Sequence, residues 1–234
     1  MKPNLIVSPV INFPIESATR IADEINNLLK KKSSITFALS GGNTPRAVNK
    51  ELTKQNIDWG KVSLYWSDER MVSHDNIDSN YRMNYDSLLN CISKVIKGTF
   101  PIPYNKSPEI SANLYENILY ESLGDNPKID ICLLGMGDDG HIASLFPHQD
   151  YDDSRLAVAS VSPNKPVNRV SLTIPFIAKS TKIFVMINGK TKAERISEVI
   201  SGKSDVPAAK LYKLRPDIIW LLDTEAAYCL TIPG

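Results

Sequence analysis

Five short segments set the fold class: "SITFALS", "KVSLYWS", "IDICLLG", "TKIFVMI" and "DIIWLLD" are apolar along nearly their whole length. A strand with one wet face alternates apolar and polar residues. A strand that is apolar throughout is buried on both faces, as in a parallel sheet covered by helices. "NLIVSPV" near the start and "RVSLTI" read as two further strands. Helical patterns lie between them. In "PIESATRIADEINNLLKKK", Ile15, Ala18, Ile21, Ala22, Ile25, Leu28 and Leu29 recur at helical spacing. "TPRAVNKELTK" opens a helix with Thr44 as N-cap and Pro45 in the first turn, where proline is least costly. "SNYRMNYDSLLN", "SPEISANLYENILYESL" and "TKAERISEVISG" are helical too, the last stopped by Gly202. This alternation predicts the α/β class: one sandwich, residues 1–234, with a mainly parallel sheet flanked by helices. The proline-rich stretch from about Lys97 to Pro108 is expected to be a surface connection, and there is no internal repeat.

Composition narrows the function classes. The 234 residues fit one large domain, and 42% apolar residues are enough for a real core. Net charge is +1, so no basic field points to nucleic acid or an anionic membrane. Cys91, Cys132 and Cys229 are far apart and form no C-x-x-C pair, which argues against a zinc knuckle or a disulfide framework. Cys132, inside an apolar run, is expected to be a buried reduced thiol. The N-terminus lacks the pattern of a signal peptide, and no apolar run is long enough to span a bilayer. The expectation is a cytoplasmic protein, monomeric or a small homo-oligomer.

In open parallel sheets, ligands bind beyond the carboxyl ends of the strands. The residues just beyond each strand are therefore the informative ones. After "SITFALS" comes the Ser40–Gly41–Gly42–Asn43–Thr44 loop. Its glycines let backbone N–H groups approach a ligand, and a helix begins there with its positive end facing that ligand. This suits a phosphate, although the pattern is not a Walker loop. After "KVSLYWS" come Asp68, Glu69 and Arg70. A carboxylate at that place can orient a sugar hydroxyl or act as a base; taken alone, the trio reads as a surface charge cluster. His74 in the loop beyond reads as a solvated histidine.

After "IDICLLG" comes "MGDDGHIASLFP". Gly135, Gly137 and Gly140 formally spell G-x-G-x-x-G, but Asp138 and Asp139 would repel a pyrophosphate. The glycines instead clear space around His141, whose free pKa lies nearest neutrality among the side chains and suits general-base work. Asp139 is placed to hold its ring or to bind substrate hydroxyls. Arg169, Lys190 and Lys192 lie on or just after later strands and add cations to the same edge. Three dispersed histidines make a poor metal set, so neither metal nor cofactor is expected.

Together, "LSGGNTPR", "WSDERMVSHDNIDSNYRM", "LLGMGDDGHIASLFP", "RVSLT", "GKTKAE" and "VPAAKL", with "DIIWLLD" after them, resemble the 6-phosphogluconolactonases, within the larger family that includes glucosamine-6-phosphate deaminases. The resemblance runs along nearly the whole chain. It implies hydrolysis of 6-phospho-D-glucono-1,5-lactone to 6-phosphogluconate in the oxidative pentose phosphate pathway. It implies that the Ser40–Thr44 loop, Arg169 and Lys192 take the phosphate, that His141 activates water, and that Asp139 and Asp68 lie in the same site. Arg70 is a further candidate for substrate binding; whether it, Arg82 or Lys190 reaches the ligand is left open. The deaminases resemble "DGHIAFNEP", with an acid before the proline, where this chain has Phe146. Phe146 cannot move a proton, which argues for the lactonase branch. A deaminase and a non-catalytic sugar-phosphate sensor are the alternatives.

Overall fold

The computed structural model describes residues 3–92 and 95–230. Its main sheet contains β1 (Asn4–Ser8), β2 (Ile35–Leu39), β3 (Val62–Trp66), β5 (Gly98–Phe100), β6 (Ile131–Gly135), β9 (Lys182–Ile187) and β10 (Ile219–Asp223). The order is β1-β10-β9-β6-β2-β3-β5, and every neighbouring pair is parallel. Every residue of β3 and β10 is buried, as expected for strands covered on both faces. A second, antiparallel sheet has the order β4-β8-β7 and is built from β4 (Asp68–Arg70), β7 (Ala157–Val161) and β8 (Asn168–Leu172). "RVSLT" belongs to this small sheet and not to the parallel one.

The helices are α1 (Phe13–Leu29), α2 (Asn43–Leu52), α3 (Asn80–Asn84), α4 (Asn90–Ile92), α5 (Pro108–Leu123), α6 (Ile174–Ala178), α7 (Ala193–Ile200) and α8 (Pro207–Leu214). α1 packs against α2, and α5 packs against β7 and β8. One apolar cluster joins the helices to the sheet, with Trp66, Trp220, Tyr65, Phe37 and Phe184 buried at its centre.

Several local expectations are corrected. α2 begins at Asn43 after Gly42, not after a Thr44 cap; Gly42 has φ +107, which swings the chain into the helix, and the Thr44 hydroxyl instead bonds Asn188. Ile15 is half exposed, because the buried stripe of α1 runs through Phe13, Ala18, Ile21, Ala22, Ile25 and Leu28. The stretch Lys97–Pro108 is more than a surface connection: Gly98–Phe100 forms edge strand β5, and Ile102 is buried. The helix expected over "SNYRMNYDSLLN" is interrupted by a π-turn at Tyr85–Leu89. Cys132 is buried as expected, and burial pushes its thiol up to about 12, which keeps it inert.

Strand order fixes where a ligand can enter. From β2 the chain moves outward to β3 and β5; it then returns to the other side of β2 as β6 and continues outward to β9 and β10. The switch point thus falls between β2 and β6. The loops leaving those two strands diverge and open a crevice at their carboxyl ends.

Candidate active site

A cavity of about 350 Å³ occupies that crevice. Ser40, Gly41, Gly42, Asn43 and Thr44 line one side, and Gly135, Gly137, His141, Ser144 and Phe146 line another. Asp68, Arg70 and Arg169 from the small sheet, and Lys192 from the turn after β9, add charged groups to the wall. A larger cavity of about 870 Å³ lies at the opposite end of the sheet, among Arg20, Asp23, Glu24, Asp58 and Lys61. It has no histidine, no glycine turn and no excess of either charge, so the smaller cavity is the chemical candidate.

His141 is held on three sides. Its Nδ1 lies 2.6 Å from Asp139 Oδ1, and its backbone N–H donates to the same oxygen at 3.1 Å. Burial pushes the Asp139 carboxyl up, but the hydrogen bond and charge of His141 outweigh it and hold the group below its ordinary value. An ionised carboxylate only accepts, so Nδ1 carries the proton, and in the neutral form of the ring Nε2 holds the lone pair. The Phe146 ring lies 4.7 Å from the imidazole, tilted by 46°. On the third side is Gly137, where a Cβ would fall 2.1 Å from the imidazole Cε1 and Nδ1. The dyad therefore requires glycine at 137.

The chain then turns through Ala143, which has φ +48, an uncommon conformation for a residue with a Cβ. Ser144 fixes this turn. Its N–H donates to Ser171 Oγ at 3.2 Å, its hydroxyl donates to Asp68 Oδ2 at 2.7 Å, and its carbonyl accepts from Ser160 Oγ at 2.6 Å. Asp68 is buried, and its other oxygen accepts from Ser67 Oγ at 3.1 Å. It lines the cavity, with both oxygens already engaged.

The Asp68–Arg70 segment is not a surface charge cluster. Glu69 is 1% exposed, and its carboxylate accepts from the backbone N–H groups of Arg70, Asn80 and Tyr81 at 2.6–2.7 Å and from Ser79 Oγ at 3.0 Å. It closes the N-terminus of α3. Burial pushes its carboxyl up against the pull of those four donors.

Among the described residues, the cationic side chains Arg70, Arg169, Lys192 and Lys165 line the cavity. Arg169 is almost fully buried, its guanidinium donating to the carbonyl of Pro166. Burial, and then the charge of Arg70, pull its pKa down to about 10. Lys192 Nζ lies 2.5 Å from Asp138 Oδ1, which also accepts from Thr191 Oγ1 at 3.2 Å. Lys190 does not join them, because its ammonium lies 5.2 Å over the ring of Tyr228. Arg82 is paired with Asp86 at 2.8 Å on the outer face of its helical segment. His74 is no free loop histidine: Nε2 lies 2.9 Å from the Ile102 carbonyl, and its ring stacks on Tyr81.

Sequence reasoning missed Asn80, Ser144, Lys165 and Asn188 as wall residues. Small polar residues carry no periodicity, and Lys165 sits in the turn of the β7–β8 hairpin, which no strand pattern announced. Among the described residues, no three His, Cys, Asp or Glu side chains gather as a metal set, and no helix is long and apolar enough to cross a membrane.

The family model for glucosamine-6-phosphate isomerases/6-phosphogluconolactonase matches residues 14–220. The 6-phosphogluconolactonase of Synechocystis sp. is 34% identical over 215 residues, 88% of this chain and 89% of that protein. That of Nostoc sp. is 31% identical over 219 residues, 91% of each. The solved structure of the 6-phosphogluconolactonase from Trypanosoma cruzi superposes with a TM-score of 0.87 at 26% identity, covering 99% of this chain and 98% of that one. On the match of the family model and these relatives, the chain belongs to the glucosamine-6-phosphate isomerase/6-phosphogluconolactonase family.

Proposed function

We propose that the protein hydrolyses 6-phospho-D-glucono-1,5-lactone to 6-phosphogluconate, a step of the oxidative pentose phosphate pathway, with His141 as the base that activates water. The observation that carries this reading is His141, which lines a cavity whose other side is the glycine turn at the N-terminus of α2, with Asp139 behind it, outside that lining, 2.6 Å from its Nδ1. The relatives at 31% and 34% identity are named for this activity.

The phosphate docks on the Ser40–Thr44 turn. Gly41 and Gly42 keep side chains out of the way, and the first N–H groups of α2 point outward with the positive end of the helix. Arg169 and Lys192, with Arg70 on the same wall, add cationic charge. Anchored there, the lactone presents its carbonyl carbon to His141. Asp139 fixes the imidazole tautomer, so Nε2 accepts a proton from water as the water oxygen attacks. The tetrahedral oxyanion forms next to a wall rich in cations, which stabilise it. Protonated His141 then donates to the departing ring oxygen, the ester bond breaks, and the product is the open-chain acid. A positioned general base of this kind contributes roughly 10²–10⁴-fold in rate. Asp68 holds Ser144 and the turn just after His141, and its charge acts on the Arg169 guanidinium.

Phe146 favours hydrolysis over deamination. It packs on His141 at the position where the deaminase branch has an acid, and it offers no group to move a proton between carbons. The deciding experiment generates the lactone with glucose-6-phosphate dehydrogenase and measures product with 6-phosphogluconate dehydrogenase, against a no-enzyme blank and a folded His141→Ala control. Wild type opens the lactone well above the blank, and the variant does not. Ammonia release from glucosamine 6-phosphate, or binding of 6-phosphogluconate without turnover, would replace the reading with a deaminase or a sensor.

A further inference from the structure

Asn80 opens α3 and is 1% exposed. Its Nδ2 donates to the Asp68 carbonyl at 2.9 Å. Its Oδ1 is buried and has no hydrogen-bond partner among the described residues, an unfavourable state for an amide oxygen unless the shape of the side chain is needed there. That oxygen lies against Gly41. A Cβ on Gly41 would fall 1.8 Å from Oδ1, 2.2 Å from Cγ and 2.6 Å from Nδ2. The φ of Gly41 lies outside the left-handed region. Glycine is therefore required at 41 because the Asn80 carboxamide occupies the space a side chain would take.

The backbone that carries the carboxamide is anchored from both sides. The Asn80 N–H donates to Glu69 Oε1 at 2.6 Å, and the Asn80 carbonyl accepts from Asn84 Nδ2 at 2.8 Å. Asn84 Nδ2 also donates to the Ser40 carbonyl at 3.2 Å, and Asn49 Nδ2 donates to Asn84 Oδ1 at 2.7 Å. A buried chain of amides thus links the strand that carries Asp68 and Arg70 to the turn between β2 and α2.

We propose that Asn80 is a positioning residue: its carboxamide is a wedge that sets the distance between the Gly41–Gly42 turn and the β4 segment bearing Asp68 and Arg70. The proposal rests on the reading of that turn as the phosphate cradle. N–H donors on one side and a guanidinium on the other grip one phosphate only at a fixed separation, and the wedge supplies that separation.

The test is a size exchange, read with 6-phosphogluconolactone and with unphosphorylated glucono-1,5-lactone. Gly41→Ala raises KM for the phosphorylated lactone at least tenfold and leaves kcat within threefold. In an Asn80→Ala background the same Gly41→Ala change raises KM less than threefold, because the wedge is gone. Thermal unfolding of each variant checks folding, and Asn80→Ser serves as the background if Asn80→Ala does not fold. A Gly41→Ala penalty of equal size in both backgrounds, or no penalty in either, would overturn the wedge. A loss on both lactones alike that Asn80→Ala still relieves would uphold the wedge and remove the phosphate reading.

Discussion

Arg70 and Arg169 are register partners across the antiparallel pair β4–β8, two cationic residues directly opposite each other at the wall of the cavity. Like charges so placed are destabilising, and burial of Arg169 sharpens the effect by taking its guanidinium out of water. An anion between or beside them relieves both.

Inorganic phosphate is therefore expected to raise the Tm of the wild type. Ligand at 100 times its Kd stabilises by about 2.7 kcal/mol. Arg169→Ala should lose most of that increment and raise KM for the phosphorylated lactone roughly tenfold to a hundredfold, the scale of a lost charge-assisted hydrogen bond. Arg169→Lys should recover little, because an ammonium lacks the planar fork. Equal phosphate shifts in wild type and Arg169→Ala would remove Arg169 from the anion site.

Gly137→Ala tests the geometry of the dyad without touching its chemistry. The new methyl would meet the imidazole at 2.1 Å and Asp139 Oδ1 at 2.8 Å, so the ring must swing. kcat should fall about a hundredfold or more, consistent with the worth of a general base, while KM stays within a few-fold. A KM effect without a kcat effect would mean that the imidazole is not the base.

The sheet was legible from the sequence because burial on both faces writes itself into every residue of a strand, as in "SLYW" and "IWLL". The glycine turn and His141 were legible because their positions after β2 and β6 put them at the switch point. The small sheet was not. β4 is three charged residues, and they form a strand because a buried Glu69 finds four donors, a tertiary fact with no local signature. Lys190 and Lys192 are two residues apart in one short turn, and only the structure separates them. One lies over Tyr228 and the other faces the cavity.

Glu69→Gln tests that buried cap. The amide replaces one acceptor oxygen with a donor that faces N–H groups, leaving buried donors unpaired. Stability should fall by about 1–3 kcal/mol in urea unfolding. An unchanged midpoint would mean that α3 does not depend on this cap.

Asp139 carries a pH signature. Its folded pKa is depressed, so its contribution to stability is present above the ordinary aspartate range and is lost as pH falls through the folded value. The Tm difference between wild type and Asp139→Asn should be present at about pH 5 and shrink toward zero below about pH 4. A difference that persists at low pH would assign the effect of the substitution to packing and not to the carboxylate charge.

On the proposed reading of Lys192 as a phosphate partner, Asp138 competes with the substrate for it. Its carboxylate lies 2.5 Å from the ammonium, and that contact holds its carboxyl below the ordinary value. Asp138 is largely exposed, so the pair adds little to stability, on the scale of about 0–1 kcal/mol for surface ion pairs. The consequence expected is for binding: a phosphate at Lys192 would have to share or displace the carboxylate. Asp138→Asn removes the competing charge and keeps the shape. KM for the phosphorylated lactone should drop up to about fivefold at low ionic strength, and the gain should fade as salt screens the site. kcat should stay unchanged, since Asp138 touches neither His141 nor its partner oxygen. A rise in KM instead would mean that Asp138 holds Lys192 in the phosphate-binding pose rather than withholding it.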